Sequence, residues 1–494
     1  MIEPLVPGPF ARVHKLIGKL SAGDREVGDL QMVLQFSAVE PGRIRGQVLG
    51  DNSTYDCLVP LGDIALGPLR IESTAAEDGN TISSDRARFA GFDVSYHPQD
   101  PMSKSVRPIA ELDLQDVSLG QAGLAGTSSR RAVFALCGPQ NAWQIHEKWT
   151  TSPAGLEVGA GNAGLPIPVE GLEVEVLPSL RHDIASVPGD NARYTKLITL
   201  AISESKPGWF SSDVGFEHAA RDLADDLTLL MSLATIRATT WFSYDLRVPR
   251  SSTTYTRALG HSFTSKVALH ECIVDWHLIR GFVAQSLPKL RELRSQEVDL
   301  RTPISVFIRG NEPALDGQRF GITWLALEEL QELHCKKGLK ASPPPSGEEE
   351  RQKLHQKKGS TASPVLGDAE LSSLRSRVEQ YCNAEAWPRA KIKAVQQKLG
   401  ELGRPSVSAK LNAMLHDLHV EVADLYPEDC KPTYEKTRGA LLHGSEPPDS
   451  LMVFWEFQRL RAVVGRALLL ALGWQDLSHC PANDLRVFLS VQSP

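Results

Sequence analysis

The spacing of apolar residues changes near residue 210, and this change constrains the fold more than any other feature of the chain. Before it, short runs of alternating apolar residues stand between Gly and Pro, as is typical of β-strands. After it, apolar residues recur every three or four positions, as is typical of helices. The 494-residue chain also exceeds the length of one ordinary domain. We therefore predict a multidomain α+β protein, with a β-rich domain over 1–205 followed by an all-α helical bundle over 206–494.

Five short runs carry the alternating pattern of the first domain. They are LQMVLQF (30–36), RIRGQVL (43–49), RAVFALC (131–137), WQIHEKW (143–149) and YTKLITLAI (194–202). Turn-forming clusters separate such strands, and EDGN (77–80) and PGDN (188–191) are two examples. Because long helical periodicity is absent here, the pattern favours a β-sandwich or a barrel-like domain.

The second domain opens with a Ser/Asp segment at 211–213 that can cap a long helix. Further helices are predicted over 264–287, 322–338, 367–384, 388–402, 406–425, 432–443 and 450–473. The run SVFIRGN (305–311) is predicted to be a short strand or a loop. A flexible insertion is predicted over 338–365, because its Pro, Ser, Gly and charged residues leave little apolar surface to bury.

Charge and composition exclude several classes of function. The formal net charge of -7 argues against binding nucleic acid through a broad positive field, so any RNA contact must be local. The seven cysteines stand far apart, which predicts reduced thiols rather than disulfides or a zinc knuckle. Neither a secretory signal nor an apolar window of about 20 residues is present, so we expect a cytoplasmic protein without a membrane partner. No phosphate-binding loop or nucleophile elbow occurs.

One pair of residues at a predicted helix end has the chemistry to cleave RNA. In YEKTRGALLHG (434–444), Arg438 precedes His443 by five positions. RNA carries its own nucleophile, the 2′-hydroxyl, so a catalyst needs only to move protons and stabilise charge on the phosphate. His443 can act as general base or acid, since the ordinary pKa of His lies near neutrality, and Arg438 can bind phosphate oxygens in pairs. We predict catalysis by these two residues without a metal or cofactor.

The place of this pair, at the end of the penultimate helix and before a long apolar helix, resembles the HEPN superfamily. Nuclease members are helical bundles with R-x(4 to 6)-H at this place, and RGALLHG matches at Arg438, His443 and Gly444. Gly439 departs from the polar residue, often Asn, that many active members place directly after the Arg. The wider plan, a β-rich region before the helices, resembles the ApeA-type abortive-infection proteins of phage defence.

This resemblance implies an endoribonuclease that leaves a 2′,3′-cyclic phosphate and a 5′-hydroxyl, with tRNA or another abundant RNA as its target. It implies a homodimer, because HEPN sites combine the Arg and His of two protomers in a shared groove. It also implies that the N-terminal domain senses a trigger, such as a phage protein, and keeps a toxic site at rest. The expected RNA contacts are Tyr434 and Lys436 on the same helix and Arg459 on the next.

Several alternatives stay open at this point. A non-catalytic HEPN-like bundle that binds or assembles other molecules would carry the same motif, with Gly439 marking lost activity and His443 binding the last carbonyls of its helix. Two basic helix faces could track RNA or be solvated surface: Lys391, Lys393 and Lys398 on one, and Arg459, Arg461 and Arg466 on the other. His416 and His419 supply too few ligands by themselves, so no metal site is predicted.

Overall fold

The computed structural model of the protein describes residues 12–36, 44–64, 68–76, 81–92, 107–122, 129–143, 147–152, 155–161, 163–165, 167, 169–182, 194–258, 272–312, 314–339, 368–385, 387–402, 407–426, 434–443 and 449–477. These residues belong to two compact units. The first is Met1–Ser232 with Arg237–Ala268, and the second is Leu233–Ile236 with Leu269–Pro494. The predicted turns at 77–80 and 188–191, and all but the first two residues of the predicted insertion, lie outside the described residues.

Six antiparallel strands of the first unit close into a barrel. They are β1 (Arg12–Ala22), β2 (Arg25–Phe36), β3 (Ile44–Gly50), β4 (Leu69–Ala76), β5 (Thr81–Phe92) and β6 (Arg107–Leu114). Their order is β5-β4-β1-β2-β3-β6, and β6 pairs back with β5. The predicted strands at 30–36 and 43–49 are confirmed as parts of β2 and β3, and the barrel-like alternative is confirmed.

The barrel closes around an apolar interior. Buried side chains from its strands include Leu20, Leu30, Met32, Leu34, Ile44, Val48, Leu69, Ile71, Leu112 and Leu114. Strand bulges help a sheet to curve into a barrel, and β1 is irregular beside Gly18 in its pairing with both β2 and β4. The strands approach so closely there that a Cβ on Gly18 would lie 2.5 Å from the carbonyl oxygen of Glu72. Only Gly fits this position.

Helix α1 (Asn52–Ile64) packs against β1, β2 and β3 and was not predicted from the sequence of the β-rich domain. Its start is capped by Asp51, whose Oδ1 accepts hydrogen bonds from the backbone N–H groups of Ser53 (3.0 Å) and Thr54 (3.1 Å). Leu58 and Leu61 are buried in the barrel core. The short helix contains Pro60, which hides its periodicity in the sequence.

A second group of strands extends the same sheet. They are β7 (Asp116–Ala122), β8 (Arg131–Cys137), β11 (Gly164–Leu165), β12 (Leu172–His182), β13 (Tyr194–Glu204), β14 (Thr240–Val248) and β15 (Ser251–Arg257), and β9 (Glu147–Ser152) pairs separately with β10 (Gly155–Ala160). β5 pairs with β7 as well as with β6, so the barrel continues into this sheet. The predicted strands at 131–137 and 194–202 are confirmed as β8 and part of β13. In the run at 143–149, Trp143 lies in a 3-10 turn and 147–149 belong to β9, while 144–146 lie outside the described residues.

Helix α2 (Asp213–Thr235) confirms the predicted long helix after residue 210. Its carboxylates hold the aromatic side chains of β14: Asp225 accepts a hydrogen bond from the Trp241 indole at 2.7 Å, and Glu217 accepts one from Tyr244. Burial raises the pKa of Tyr244, and the bond to Glu217 raises it further. Two strands, β14 and β15, follow this helix and join the sheet. The all-α expectation is therefore wrong at 240–257, and the helical region starts later than residue 206.

In the described part of the second unit, every regular element is a helix. They are α3 (Ile279–Ser295), α4 (Arg301–Gly310), α5 (Asp316–Lys337), α6 (Asp368–Ala384), α7 (Arg389–Leu402), α8 (Val407–Asp417), α9 (Tyr434–His443) and α10 (Ser450–Ala471), with a 3-10 turn at Ala423–Leu425. α5 packs against α4, α8, α9 and α10. None of the described helices is long and apolar enough to cross a membrane.

Most of the predicted helices are confirmed with small shifts, and three predictions need correction. The helix predicted over 406–425 ends at Asp417, and a turn and a 3-10 segment follow it. The segment 305–311 is not a strand or loop, because 301–310 forms α4 and packs on α5 and α10. The helix predicted over 264–287 starts only at Ile279 in its described part, since 272–278 is not helical, and 264–271 lies outside the described residues. At α4 tertiary packing, rather than the local pattern, sets the structure.

Candidate functional site

Helix α9, which carries the predicted catalytic pair, packs between α5 and α10. Thr437 is fully buried and anchors the helix. Gly317, at the start of α5, faces the end of α9, since a Cβ built on it would lie 3.7 Å from Leu441. Glu328, further along α5, faces the middle of α9 at Arg438. The end of α9 therefore meets the start of α5, and Arg438 reaches the middle of α5.

Arg438 is held in a defined place at the surface of this helix pair. Its Nη2 donates a hydrogen bond to Oε1 of Glu328 at 2.9 Å, and its Cζ lies 5.4 Å from the ring centre of Trp324. The exposed fraction of its side chain is 34%. Its Nε is buried and has no hydrogen-bond partner in the described part of the chain. The guanidinium is thus fixed on one side and reaches solvent on another.

Glu328 holds Arg438 through an arrangement that is itself fixed. Its Oε1 also accepts a hydrogen bond from the indole N–H of Trp324 at 2.6 Å. Trp324 is only 3% exposed, so its ring cannot move freely. Glu328 and Arg438 are both about one third exposed, and a pair of that kind contributes only about 0–1 kcal/mol to stability. Its main physical effect is to orient the guanidinium.

Helix α9 ends at His443, as predicted. The backbone positions of Arg438 and His443 therefore lie about 7.5 Å apart along one helix axis, at a rise of about 1.5 Å per residue. The side chains of His443 and Tyr434 lie outside the described part of the structure. The roles expected for these two residues from the sequence therefore stay predictions.

Lys436 is exposed on α9, but it does not share a face with Arg438. The two residues are two positions apart, and side chains at that spacing project to different sides of a helix. One phosphate group therefore cannot easily bind both side chains. The two positive charges therefore lie on different faces of α9.

Arg459 lies in a different environment from the one expected of an RNA contact. It is 9% exposed and binds Glu456, which is 1% exposed. Its Cζ lies 4.7 Å from the ring centre of Tyr426, whose hydroxyl donates to Glu456 at 3.4 Å. Arg466 is also buried and paired, with Asp424 at 2.6 Å. Both side chains are parts of the helical core rather than of an exposed basic surface.

His416 contacts a carboxylate that connects two helices. Asp417, at the end of α8, lies 3.0 Å from Nε2 of His334 on α5 and 3.4 Å from Nδ1 of His416. Burial alone would raise the pKa of Asp417, but the two histidines outweigh it and lower that pKa. Among the described residues, no group of three or more His, Cys, Asp or Glu side chains is placed to hold a metal ion.

Gly439 is open to substitution. It lies inside α9, and a Cβ built on it would have no neighbour within 4 Å. Replacing it by Ala is expected to stabilise α9 by about 0.5–1 kcal/mol, because Gly loses more backbone freedom on folding. Hydrogen exchange of the α9 amides measures this gain.

The matched control for this change is Gly321→Ala on α5, where a Cβ would also meet nothing within 4 Å. It should protect α5 amides and leave those of α9 unchanged. Faster exchange in α9 after Gly439→Ala would show that the position requires Gly.

Sequence reasoning missed Glu328 and Trp324. Their spacing of four residues on a predicted helix does place them on one face. Nothing local connects that face with Arg438, which is 110 residues further along the chain than Glu328. Only the packing of α5 on α9 brings these three residues together.

No protein-family model matches the chain, and no curated protein or solved structure matches it. The residues of this site, together with the resemblance at 434–444, therefore carry the functional conclusion.

Proposed function

We propose that the protein is a metal-independent HEPN-type endoribonuclease with Arg438 and His443 as its catalytic pair. The observation that supports this most is the state of Arg438. Glu328 and Trp324 orient its guanidinium, yet about a third of the side chain is exposed, on the helix that ends at His443. A preoriented cation that solvent can reach suits the binding of a phosphate.

The proposed reaction uses the RNA's own 2′-hydroxyl. Its oxygen attacks the adjacent phosphorus, the O2′–P bond forms and the P–O5′ bond breaks. One proton leaves the 2′-hydroxyl and another is delivered to the departing 5′-oxygen. The products are a 2′,3′-cyclic phosphate and a 5′-hydroxyl. His443 transfers one of these protons, and Arg438 stabilises the negative charge on the phosphate oxygens in the transition state.

Two proton transfers call for two groups, and each chain supplies one His443. We therefore propose a homodimer in which two α9 helices share one RNA groove. In this proposal the N-terminal unit responds to a trigger such as a phage protein and holds the site at rest otherwise, and the substrate is tRNA or another abundant RNA. Regulation follows from the chemistry, since an unrestrained ribonuclease would destroy its host's RNA.

Analysis of the cleaved ends tests the activity directly. Full-length protein is incubated with its trigger and RNA in EDTA, and the products are tested for 2′,3′-cyclic phosphates and 5′-hydroxyls. Cleavage that persists in EDTA with these ends supports the proposal. A requirement for a divalent metal, or products with 5′-phosphates, would overturn it.

A second candidate function is a non-catalytic binding or assembly module. The ion pair between Arg438 and Glu328 favours it, because a structural Arg also binds a carboxylate of its own chain. The two functions differ in what Arg438→Ala removes. The ribonuclease loses cleavage at nearly unchanged stability, whereas the assembly module has no cleavage to lose and changes only in assembly or stability.

The charge of Glu328 gives a further prediction. Glu328→Gln keeps an oxygen that can accept from Trp324 and Arg438 but no longer offsets the positive charge of Arg438. In a His443→Ala background, we expect RNA affinity to rise by up to about fivefold, the equivalent of about 1 kcal/mol. Fluorescence anisotropy with labelled RNA measures the change.

Glu332→Gln is the matched control, because Glu332 lies on the same helix and pairs with Lys336 instead. It should leave the affinity unchanged. Equal effects of both variants would mean that only net charge matters and that Arg438 does not bind the phosphate.

A further inference from the structure

Helices α6 and α7 form a hairpin that buries few of its side chains. The two helices pack against each other. On α6, Leu371 and Cys382 are the buried residues among the described side chains, and from 389 to 399 on α7 none is buried. A helix pair with so little of its own core presents most of its surface to solvent or to a partner.

An aromatic and cationic cluster lies at the turn of this hairpin. The rings of Tyr381 and Trp387 meet edge to face with centroids 6.3 Å apart, and Nζ of Lys391 lies 4.0 Å from the ring centre of Trp387. Tyr381 is 60% exposed. Large aromatic side chains are usually buried, so an exposed Tyr beside a Trp and a Lys is a surface with ring faces and a positive charge.

The charge of α7 beside this cluster is one-sided, whereas exposed Glu379 and Glu385 flank Tyr381 in the sequence. Residues 386–398 contain four basic side chains and no acidic one, in a chain with a net charge of -7. The four are Arg389, Lys391, Lys393 and Lys398, and all of them are exposed. Arg389 and Lys393 are four residues apart and therefore share one face of α7. This is the local basic surface that RNA binding by an acidic chain requires.

We propose that the turn of the α6–α7 hairpin, with Tyr381, Trp387, Lys391 and Lys393, binds single-stranded RNA. A base stacks on the exposed Tyr381 ring, and Lys391 and Lys393, which project to different sides of α7, contact different phosphates along the strand. Base stacking on aromatic side chains and phosphate contacts from basic ones are the two contributions that hold single strands on proteins. The choice of RNA as the polyanion rests on the proposed ribonuclease function, while the surface itself is independent of Arg438 and His443.

Stacking distinguishes RNA from other acidic partners. An acidic peptide or an anionic membrane surface would use the lysines but gains nothing from a planar ring face presented for stacking. Duplex RNA keeps its bases paired and stacked on each other, so it too would engage only the charges. The contribution of the Tyr381 ring to binding therefore distinguishes single-stranded RNA from these other partners.

The test uses the full-length His443→Ala protein, so that cleavage does not obscure binding. Anisotropy is measured with a labelled single-stranded RNA, the corresponding duplex, polyglutamate and phosphatidylserine vesicles, over a range of salt concentrations. Tyr381→Ala is expected to weaken single-strand binding about 5- to 100-fold, and Tyr381→Phe to retain it. Lys391→Ala with Lys393→Ala is expected to lower the slope of log affinity against log salt by about 1.4, which is two phosphate contacts.

The matched control is the double variant Lys336→Ala and Lys337→Ala, two exposed lysines at the end of α5. It should leave the salt slope unchanged. The proposal is overturned if Tyr381→Ala binds the single strand as the parent does. It is also overturned if the duplex, the peptide or the vesicles bind more tightly than the single strand with the same dependence on Lys391 and Lys393.

This experiment separates the two proposals. If the wild-type protein cleaves no RNA in the presence of its trigger but the His443→Ala protein binds single strands through Tyr381, the ribonuclease proposal fails and the hairpin site stands. If the wild type cleaves RNA and binding ignores Tyr381 and both lysines, the hairpin site fails and the ribonuclease stands.

Discussion

Cleavage of RNA is expected to fall by about 10²- to 10⁴-fold when His443 is replaced by Ala, since that is the usual contribution of one general acid or base. Ala cannot transfer a proton, while the rest of α9 and the Arg438 site stay in place. The loss should appear in the rate of cleavage at saturating RNA rather than in affinity. Single-turnover kinetics of the full-length protein, activated by its trigger and assayed in EDTA, measure it.

His218→Ala is the matched control, because His218 is an exposed His on α2, in the first unit. It should leave the rate unchanged. A mixture of His443→Ala and Arg438→Ala proteins tests the dimer. If each site combines residues of two protomers, the cleavage rate of the mixture should differ from the rate of either variant alone. Full cleavage by His443→Ala protein would rule out the proposed mechanism.

The largest effect on stability is expected at the buried pair of α10. Glu456→Ala leaves the charge of Arg459 without its carboxylate in a site that is 9% exposed, and breaking a buried ion pair in this way costs about 3–5 kcal/mol. Tyr426 loses its hydrogen-bond partner as well. Hydrogen exchange of the α10 amides reports the change as faster opening of the helical unit.

Two further variants separate the ion pair from the loss of packing. Glu456→Leu combined with Arg459→Met removes both charges and keeps apolar volume, so it should recover most of the lost stability. It should also bind RNA as the parent does, since Arg459 is a core residue. Glu332→Ala, at an exposed position on α5, should cost far less than Glu456→Ala. If Glu456→Ala and Glu332→Ala lower the free energy of unfolding equally, the ion pair between Glu456 and Arg459 contributes little to stability.

Local patterns located many of the elements. The alternating runs found β8 and parts of β2, β3 and β13, because a half-covered strand must place apolar residues on one side. The three- and four-residue spacing of apolar residues predicted α2, α5 and α10, because each helix buries an apolar stripe. The pattern failed at α4, where Val306, Phe307 and Ile308 favour a strand locally. Packing on α5 and α10 makes that segment a helix.

The sequence likewise predicts only part of the candidate site. The end of α9 at His443 follows from the breakers after it, so the sequence located the predicted pair. It could not supply Glu328 and Trp324, because contacts between distant segments leave no local signal. It also could not separate Lys436, which is exposed, from Arg459, which is buried, since both are basic residues near the same motif.

The sequence by itself therefore determined which segments alternate, which are helical and where Arg438 and His443 stand relative to a helix end. Tertiary structure alone decided that the strands close into a barrel, that Glu328 orients Arg438 and that Arg459 belongs to the core. The physical reason is that periodicity shows which side chains share a face. Only the packing of distant elements decides which face is covered and which is left to bind a ligand.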